Sequence, residues 1–539
     1  MTWDGVISGT TILHMFIPPT YINIVPEIEL PGHAKAALAA YPELSCTGGP
    51  FKVRTHWGIE KDVYCAGTEK TFEFLEHVLD ELIPLFPGEY VHIGGDECPK
   101  DRWNACSSCK KRMQDENLKD ADELQSYFVK RIEKIVNKHG KKMIGWDEIL
   151  DGGLAPSATV MSWRGEKGGV AAAEMSHDVV MTPGNWMYFD YYQGDRKIEP
   201  VAIGGYTPLK KVYDYEPVPS TLPESKHKHI LGAQANMWTE YVSKPELVEY
   251  RLYPRVLALA ELTWTAKDLR NYIDFEQRIQ NQLVRLDCHG IKYHIPQPEQ
   301  PLGSCSHLAF TDSIEVSFNI SRPLPMVYTL DGTEPDLNAR QYVKPFKFYD
   351  SSILKIRTLL QSGVMSNTRT ITIEKQDFLS AVNVKNPQQG LKGKKLHGRF
   401  SHFKETSGKI RWVKHDIKSL KEIEVVQGSN DIKEDTYYAL VLEGFVNIPE
   451  DNIYFFSTDV DEFWLGGRLL ISNEHELKRY SRYDTSIALK KGLHPIKIIY
   501  LSNIYKGWLS ARRELSVLFK TKEQKEFKSI DDAMLFLEN

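Results

Sequence analysis

The sequence predicts an α/β domain built on a parallel sheet, followed by two β-rich domains. Three observations predict it. From Tyr21 to about His289, short apolar β-like runs alternate with longer amphipathic stretches, the pattern of parallel strands joined by crossover helices. Near Pro296–Gly303 the pattern breaks at a segment rich in Pro, Gly and Gln, which reads as a linker. Beyond it come short alternating strands, with turns such as Asp331-Gly332 and Gln361-Ser362-Gly363. The expected divisions are an N-terminal segment at 1–20, an α/β domain at 21–295, and β-rich domains at 304–375 and 380–539.

In order, the expected strands are Ile22–Ile28, Tyr90–Ile93, Lys142–Trp146, Thr159–Trp163, Val179–Thr182 and Ile230–Gln234. The expected helices are Glu69–Leu85, Asp122–His139, Gly168–Met175 and Lys244–Leu262. Each strand runs into polar or aromatic residues rather than a clean turn, as where the loops of one rim build a site. Trp264, at the end of the helical stretch Ala258–Thr263, is expected to pack in the core. The basic segment Lys385–Arg399 reads as a solvated face.

Composition narrows the function classes. With 42% hydrophobic and 26% charged residues, the 539-residue chain can bury a sizeable core. Lys plus Arg number 67 against 72 Asp plus Glu, a formal charge of -5, which offers nucleic acid no electrostatic attraction. No apolar run reaches the roughly 18 residues of a transmembrane segment. Met1–Gly5 carries no basic region of the kind that opens an export signal.

Seven cysteines cannot all pair within the chain. Cys46 and Cys65 flank one loop and are candidates for a disulfide. Cys98, Cys106 and Cys109 include a C-x-x-C but show no fourth partner at zinc-like spacing, so buried thiols or a disulfide are expected there rather than a metal.

The chemistry concentrates at strand ends. Val91-His-Ile-Gly-Gly-Asp-Glu97 delivers Asp96 and Glu97 to the C-terminal end of a strand, where α/β barrels carry catalytic groups. Adjacent carboxylates repel, so one of them should resist ionising, as suits a general acid. Val25-Pro-Glu-Ile-Glu-Leu-Pro-Gly-His33 presents His33 on a Pro-Gly turn. Trp146, Trp163 and Trp238 each stand just past an apolar run, the placement expected of pocket walls. Tyr188-Phe-Asp-Tyr-Tyr192 adds a phenol and a carboxylate at the same rim.

These motifs, with Gly145-Trp-Asp-Glu-Ile-Leu150, Met161-Ser-Trp-Arg-Gly165 and Gln234-Ala-Asn-Met-Trp-Thr-Glu240, resemble in order those of the β-N-acetylhexosaminidases of glycoside hydrolase family 20. The resemblance implies a (β/α)8 TIM-type barrel and exo-hydrolysis of terminal β-linked N-acetylglucosamine or N-acetylgalactosamine. The mechanism it implies is retaining, with the substrate's acetamido oxygen as nucleophile. Glu97 then matches the general acid/base, Asp96 the holder of the acetamido N–H, and Tyr188 the donor to its carbonyl. Trp146, Trp163 and Trp238 match the walls, Asp190 and Glu240 the hydroxyl binders, and His33 a lining residue. No metal or organic cofactor is implied; the implied partners are N-acetylhexosamine-terminated glycans, and the implied location is exported, periplasmic or cell-surface. Adjacency supports this reading independently. Two neighbouring carboxylates cannot easily straddle a sugar ring about 5 Å apart, as an enzyme nucleophile and its acid must.

Tyr328-Thr-Leu-Asp-Gly-Thr-Glu-Pro335 resembles the small β-sandwich that often follows such barrels, and residues from about 435 resemble a protective-antigen-like β-sandwich, whose relatives sometimes bind glycans. One departure stands out. The family places two βα units before the Pro-Gly-His strand, the first carrying a sugar-binding arginine, whereas nothing in Met1–Thr20 matches them and no arginine precedes Arg54. A barrel lacking its first two βα units is therefore expected, from a truncated or altered product, with Thr10–Ile17 as a possible patching strand. Two alternatives stay open: a non-catalytic remnant that binds glycan, and a lacto-N-biosidase-type substrate preference.

Overall fold

The computed structural model describes residues 22–54, 58–196, 198–301, 305–400, 402–409, 411–423, 436–458, 460–473, 483–502, 515–530 and 532–538. The segment 1–20, Thr10–Ile17 included, lies outside them.

Six strands form one parallel sheet in strict chain order: β1 (Glu27–Leu30), β2 (Tyr90–Gly94), β3 (Lys142–Trp146), β4 (Thr159–Ser162), β5 (Val179–Met181) and β6 (Ile230–Ala233). Sequential parallel order with crossover helices is the wall of a TIM-type barrel. The strands are short and apolar, and β2, β3 and β4 are almost wholly buried, as parallel strands covered on both faces should be.

Two expected boundaries move, each because of a proline. The first strand begins at Glu27 rather than Ile22, and Ile22 and Val25 are exposed. Pro26 has no N–H to give a ladder, although its carbonyl still accepts from His92 N at 2.9 Å. The stretch Lys244–Leu262 becomes two helices, Pro245–Leu252 and Arg255–Trp264, interrupted at Tyr253-Pro254. A proline ring there would clash with the preceding turn and break the hydrogen-bond ladder.

The helices that position the site are α1 (Lys35–Ala40), α2 (Glu69–Leu82), α3 (Asp101–Ala105), α4 (Ser107–Asp115) and α5 (Ala121–Lys138). In α5, Asp120 caps the N-terminus by accepting from the Asp122 and Glu123 amides, which contributes about 1 kcal/mol. Its residues Leu124, Phe128, Ile132 and Val136 form a buried stripe at helical spacing. Trp264 does not pack: it is 92% exposed. Ala258 and Leu262 fix the buried stripe of that helix, and Trp264, two positions past Leu262, falls about 200° around the axis from it.

The contact pattern divides the chain into two units: 1–188, 210–236 and 256–270 in the first, 189–209, 237–255 and 271–539 in the second. Residues 307–375 of the second unit carry a five-stranded and a two-stranded sheet around Leu308, Phe310, Leu354, Ile356, Ile371 and Ile373. From Gln388 onward come an eight-stranded and a four-stranded sheet around Leu440, Leu442, Tyr454, Phe456, Ile498 and Tyr500. In Lys392–His397 only Leu396 is buried and the lysines face solvent or the margin, as expected of the basic segment. No helix of the described residues is long and apolar enough to cross a membrane.

Candidate active site

Asp96 and Glu97 stand on a turn that only glycine could lead into. At the end of β2, Gly94 and the following Gly95 adopt φ of 68° and 96°, values that L-residues rarely take. A side chain there would also displace its neighbours. A Cβ on Gly94 would lie 2.2 Å from Glu29 Oε2, and one on Gly95 would lie 2.5 Å from Ile149 Cγ2. Glu97 itself has φ of 43°, a left-handed conformation that costs roughly 1 kcal/mol in a non-glycine residue. From α5, Gln125 Nε2 donates to Gly95 O at 3.0 Å and steadies the turn.

His33, after β1, is also left-handed with φ of 48°. Its Nε2 sits 3.4 Å from Asp96 Oδ2 and 3.4 Å from Glu97 Oε2. Hydrogen bonds to Asp96 and then Glu97 outweigh burial and push the imidazole up to about 10, so it bridges the two acids as a cation. Asp96 Oδ1 is buried with no hydrogen-bond partner.

Glu29, on β1, is held towards its protonated form: burial first and the charge of Asp96 second push it up to about 8. Its strand neighbour Glu27 behaves oppositely. Burial favours the acid there, yet His92, 3.0 Å away, and the Trp146 N–H, 2.9 Å away, hold it below the usual carboxylate range. Sequence reading missed both glutamates. Their signal was present: alternate positions of a strand point to one face, and Glu27 and Glu29 make that face acidic in an otherwise apolar run.

The tryptophans differ in setting. Trp146 is 3% exposed, its ring 4.7 Å from that of His92, so it is built into the sheet layer. Trp163 is half-buried, donates to Glu148 Oε2 at 2.9 Å, and stacks on Tyr188 with centroids 6.2 Å apart and planes 20° from parallel. Burial pushes Glu148 up to about 7, partly offset by the indole N–H. Tyr188 follows the short helix Gly184–Met187 beyond β5 and forms a parallel bridge to Asn236, just past β6. The first unit thus joins His33, Asp96 and Glu97 in one cluster and Trp163 with Tyr188 in another, with Trp146 on the same strand-end rim.

Asp190, Trp238 and Glu240 belong to the second unit. Asp190 is 3% exposed and neither carboxylate oxygen has a hydrogen-bond partner. Burial, with Glu240 adding, pushes it up to about 7. Its backbone is held by two buried arginines that sequence reading passed over. Arg251 donates to Asp190 O, and Arg255 donates to the carbonyls of Phe189, Tyr191 and Thr207. Trp238 is half-buried and Glu240 exposed.

In the first unit, paired acids and stacked aromatic rings gather at the strand-end rim of a parallel sheet; in the second, the buried carboxylate of Asp190 has no hydrogen-bond partner. Residues 18–267 match the catalytic domain of glycosyl hydrolase family 20. A β-hexosaminidase of Porphyromonas gingivalis is 52% identical over 96% of this chain and 67% of its own. A β-hexosaminidase of Vibrio furnissii is 36% identical over 44% of this chain and 40% of its own. A solved exo-β-N-acetylglucosaminidase of Vibrio harveyi, in complex with N-acetylglucosamine, is 32% identical over 54% of this chain and 46% of that one, with a TM-score of 0.48. The chain belongs to glycoside hydrolase family 20 and stands with its β-hexosaminidases. It spans about two thirds of the Porphyromonas relative and less than half of the other two.

Proposed function

We propose that the protein is an exo-β-N-acetylhexosaminidase that removes terminal β-linked N-acetylglucosamine or N-acetylgalactosamine with retention of configuration. One observation carries the mechanism. Asp96 and Glu97 both approach a single His33 nitrogen at 3.4 Å, so they lie side by side, and an enzyme nucleophile would have to face its acid across the sugar. The nucleophile is then the substrate's own acetamido oxygen.

In this reading Glu97 protonates the glycosidic oxygen as the C1–O bond breaks and the acetamido oxygen closes onto C1. The oxazolinium so formed carries its positive charge next to the Asp96 carboxylate, which accepts the acetamido N–H. Tyr188 donates to the acetamido oxygen and holds it beneath C1, a gain in orientation over free attack. Glu97 then removes a proton from the water that reopens the ring. Trp163, fixed by Glu148 and stacked on Tyr188, walls the acetamido group from water, and the resemblance gives Trp146 and Trp238 wall roles as well. Asp190 and Glu240 accept from sugar hydroxyls, and the unpartnered oxygens of Asp190 suit that role. The barrel, at 21–295, carries this chemistry; the β-sandwiches at 304–375 and 380–539 are accessory.

The test is release of N-acetylglucosamine from a β-linked N-acetylglucosamine disaccharide, whose sugar leaving group needs protonation, by the chain and by Glu97→Gln. Turnover abolished by that change supports the proposal. Folded wild-type chain without turnover would leave only a glycan-binding remnant.

A further inference from the structure

Away from the acids, four cysteines from two loops converge. Cys46 and Cys65 lie at the two ends of the loop between α1 and α2, which is closed by the antiparallel bridge Ser45–Tyr64 and by Cys65 N donating to Leu44 O at 2.8 Å. Cys106 caps α4, and Cys109 lies in its first turn. Their four sulfurs all lie within 4.8 Å of one another. The Cys46–Cys109, Cys65–Cys109 and Cys65–Cys106 separations are 3.7, 3.6 and 3.9 Å. All four are free thiols, and a disulfide would need about 2.05 Å. Zinc bonded to four thiolates at about 2.3 Å in a tetrahedron sets every sulfur–sulfur edge near 3.8 Å.

The surrounding chain is built to hold this arrangement. Trp103, fully buried in α3, donates from its indole to Tyr64 O at 2.8 Å, and Arg102 Nε donates to Asp62 Oδ1 at 2.8 Å. A Cβ on Gly67 would lie 2.3 Å from the Ser108 carbonyl carbon, so the loop backbone presses directly on the start of α4. These contacts bring the four sulfurs together without a covalent link between them.

We infer that Cys46, Cys65, Cys106 and Cys109 form a structural zinc site that ties the loop after β1 to the helices after β2. The four thiolates fill the coordination shell and leave no position for substrate. The site fixes one rim segment that carries His33 to another that carries Asp96 and Glu97, without touching the reacting atoms. The sequence reading expected no metal because it grouped Cys98 with Cys106 and Cys109. Cys98 is not in the cluster, and the two missing ligands come from 41 to 63 residues upstream.

The test uses the full chain purified under reducing conditions and dialysed free of loose metal. Elemental analysis should find about one zinc per chain, and X-ray absorption at the zinc edge should show a shell of sulfur only, near 2.3 Å. An organomercurial should release that zinc after titrating about four thiols. Cys46→Ser and Cys109→Ser should lose stoichiometric zinc, whereas Cys98→Ser and Cys288→Ser keep it. Should the cluster variants fail to fold, the wild-type measurements decide alone. Metal-free protein with seven titratable thiols, a thiol count reduced by disulfides, iron in place of zinc, or a shell with nitrogen or oxygen would each overturn the assignment.

Discussion

His33 Nε2 reaches Asp96 Oδ2 at 3.4 Å from the neighbouring strand end, and the same nitrogen reaches Glu97 at an equal distance. The cation thus neutralises part of the repulsion between two adjacent acids, and both can remain close without a sugar between them. In the proposed reaction Glu97 moves the proton and Asp96 carries the charge of the oxazolinium.

That division predicts different signatures for the two acids. Glu97→Gln should lower kcat about 10²–10⁴-fold on glycosides with poor leaving groups, and much less on activated aryl glycosides, which need little protonation. Asp96→Asn should be impaired on both. Steady-state kinetics on a matched substrate pair checks this, and equal losses for Glu97→Gln on both substrates would contradict it.

Tyr188→Phe removes one donor while keeping the ring that stacks on Trp163. The expected result is a kcat lower by about 10²–10³-fold, with an unchanged melting temperature. A stability loss equal to the activity loss would show that the hydroxyl is structural.

Stability should fall as pH rises from about 4.5 to 10. Glu29 is held near 8 against an ordinary 4.5, so the folded state binds more protons between those values. His33, near 10 against 6.5, extends the same sign upward. In both cases the favourable contribution is complete below the unfolded pKa and is lost as pH passes the folded one. Glu29→Gln imitates the protonated acid, so melting curves between pH 5 and 8 should flatten relative to wild type. An unchanged slope would contradict the assignment.

Arg255 is fully buried and serves the carbonyls of Phe189, Tyr191 and Thr207. Arg255→Met leaves those acceptors unsatisfied and should destabilise by at least about 3 kcal/mol. Urea unfolding measures it. A loss below about 1 kcal/mol would mean that the segment does not depend on the guanidinium.

The fold was legible where local chemistry and pattern agree. Lys142–Trp146 is a strand as expected, because an apolar run between charged ends has one way to be buried. The errors arose where one residue overrode the pattern: Pro26 delayed β1, and Pro254 split a helix that otherwise reads as continuous. In the proposed site, motifs that follow strand ends point to Asp96, Glu97 and Tyr188. The supporting groups did not show themselves that way. Glu29, Glu148 and Arg255 sit in short-range company that looks ordinary, and only the fold brings Asp96, Trp163 and the Phe189–Tyr191 carbonyls to them. The cysteine cluster was hidden for the same reason, since Cys46 and Cys65 are remote in sequence from the C-x-x-C.

The most direct measurement compares aryl β-glucosaminides whose acetamido group carries zero, one, two or three fluorines. Fluorine withdraws electron density from the carbonyl oxygen and leaves the leaving group untouched. A substrate-supplied nucleophile predicts that kcat/KM falls steeply with each fluorine added. Rates independent of fluorination, with retained stereochemistry, would mean that the protein supplies the nucleophile.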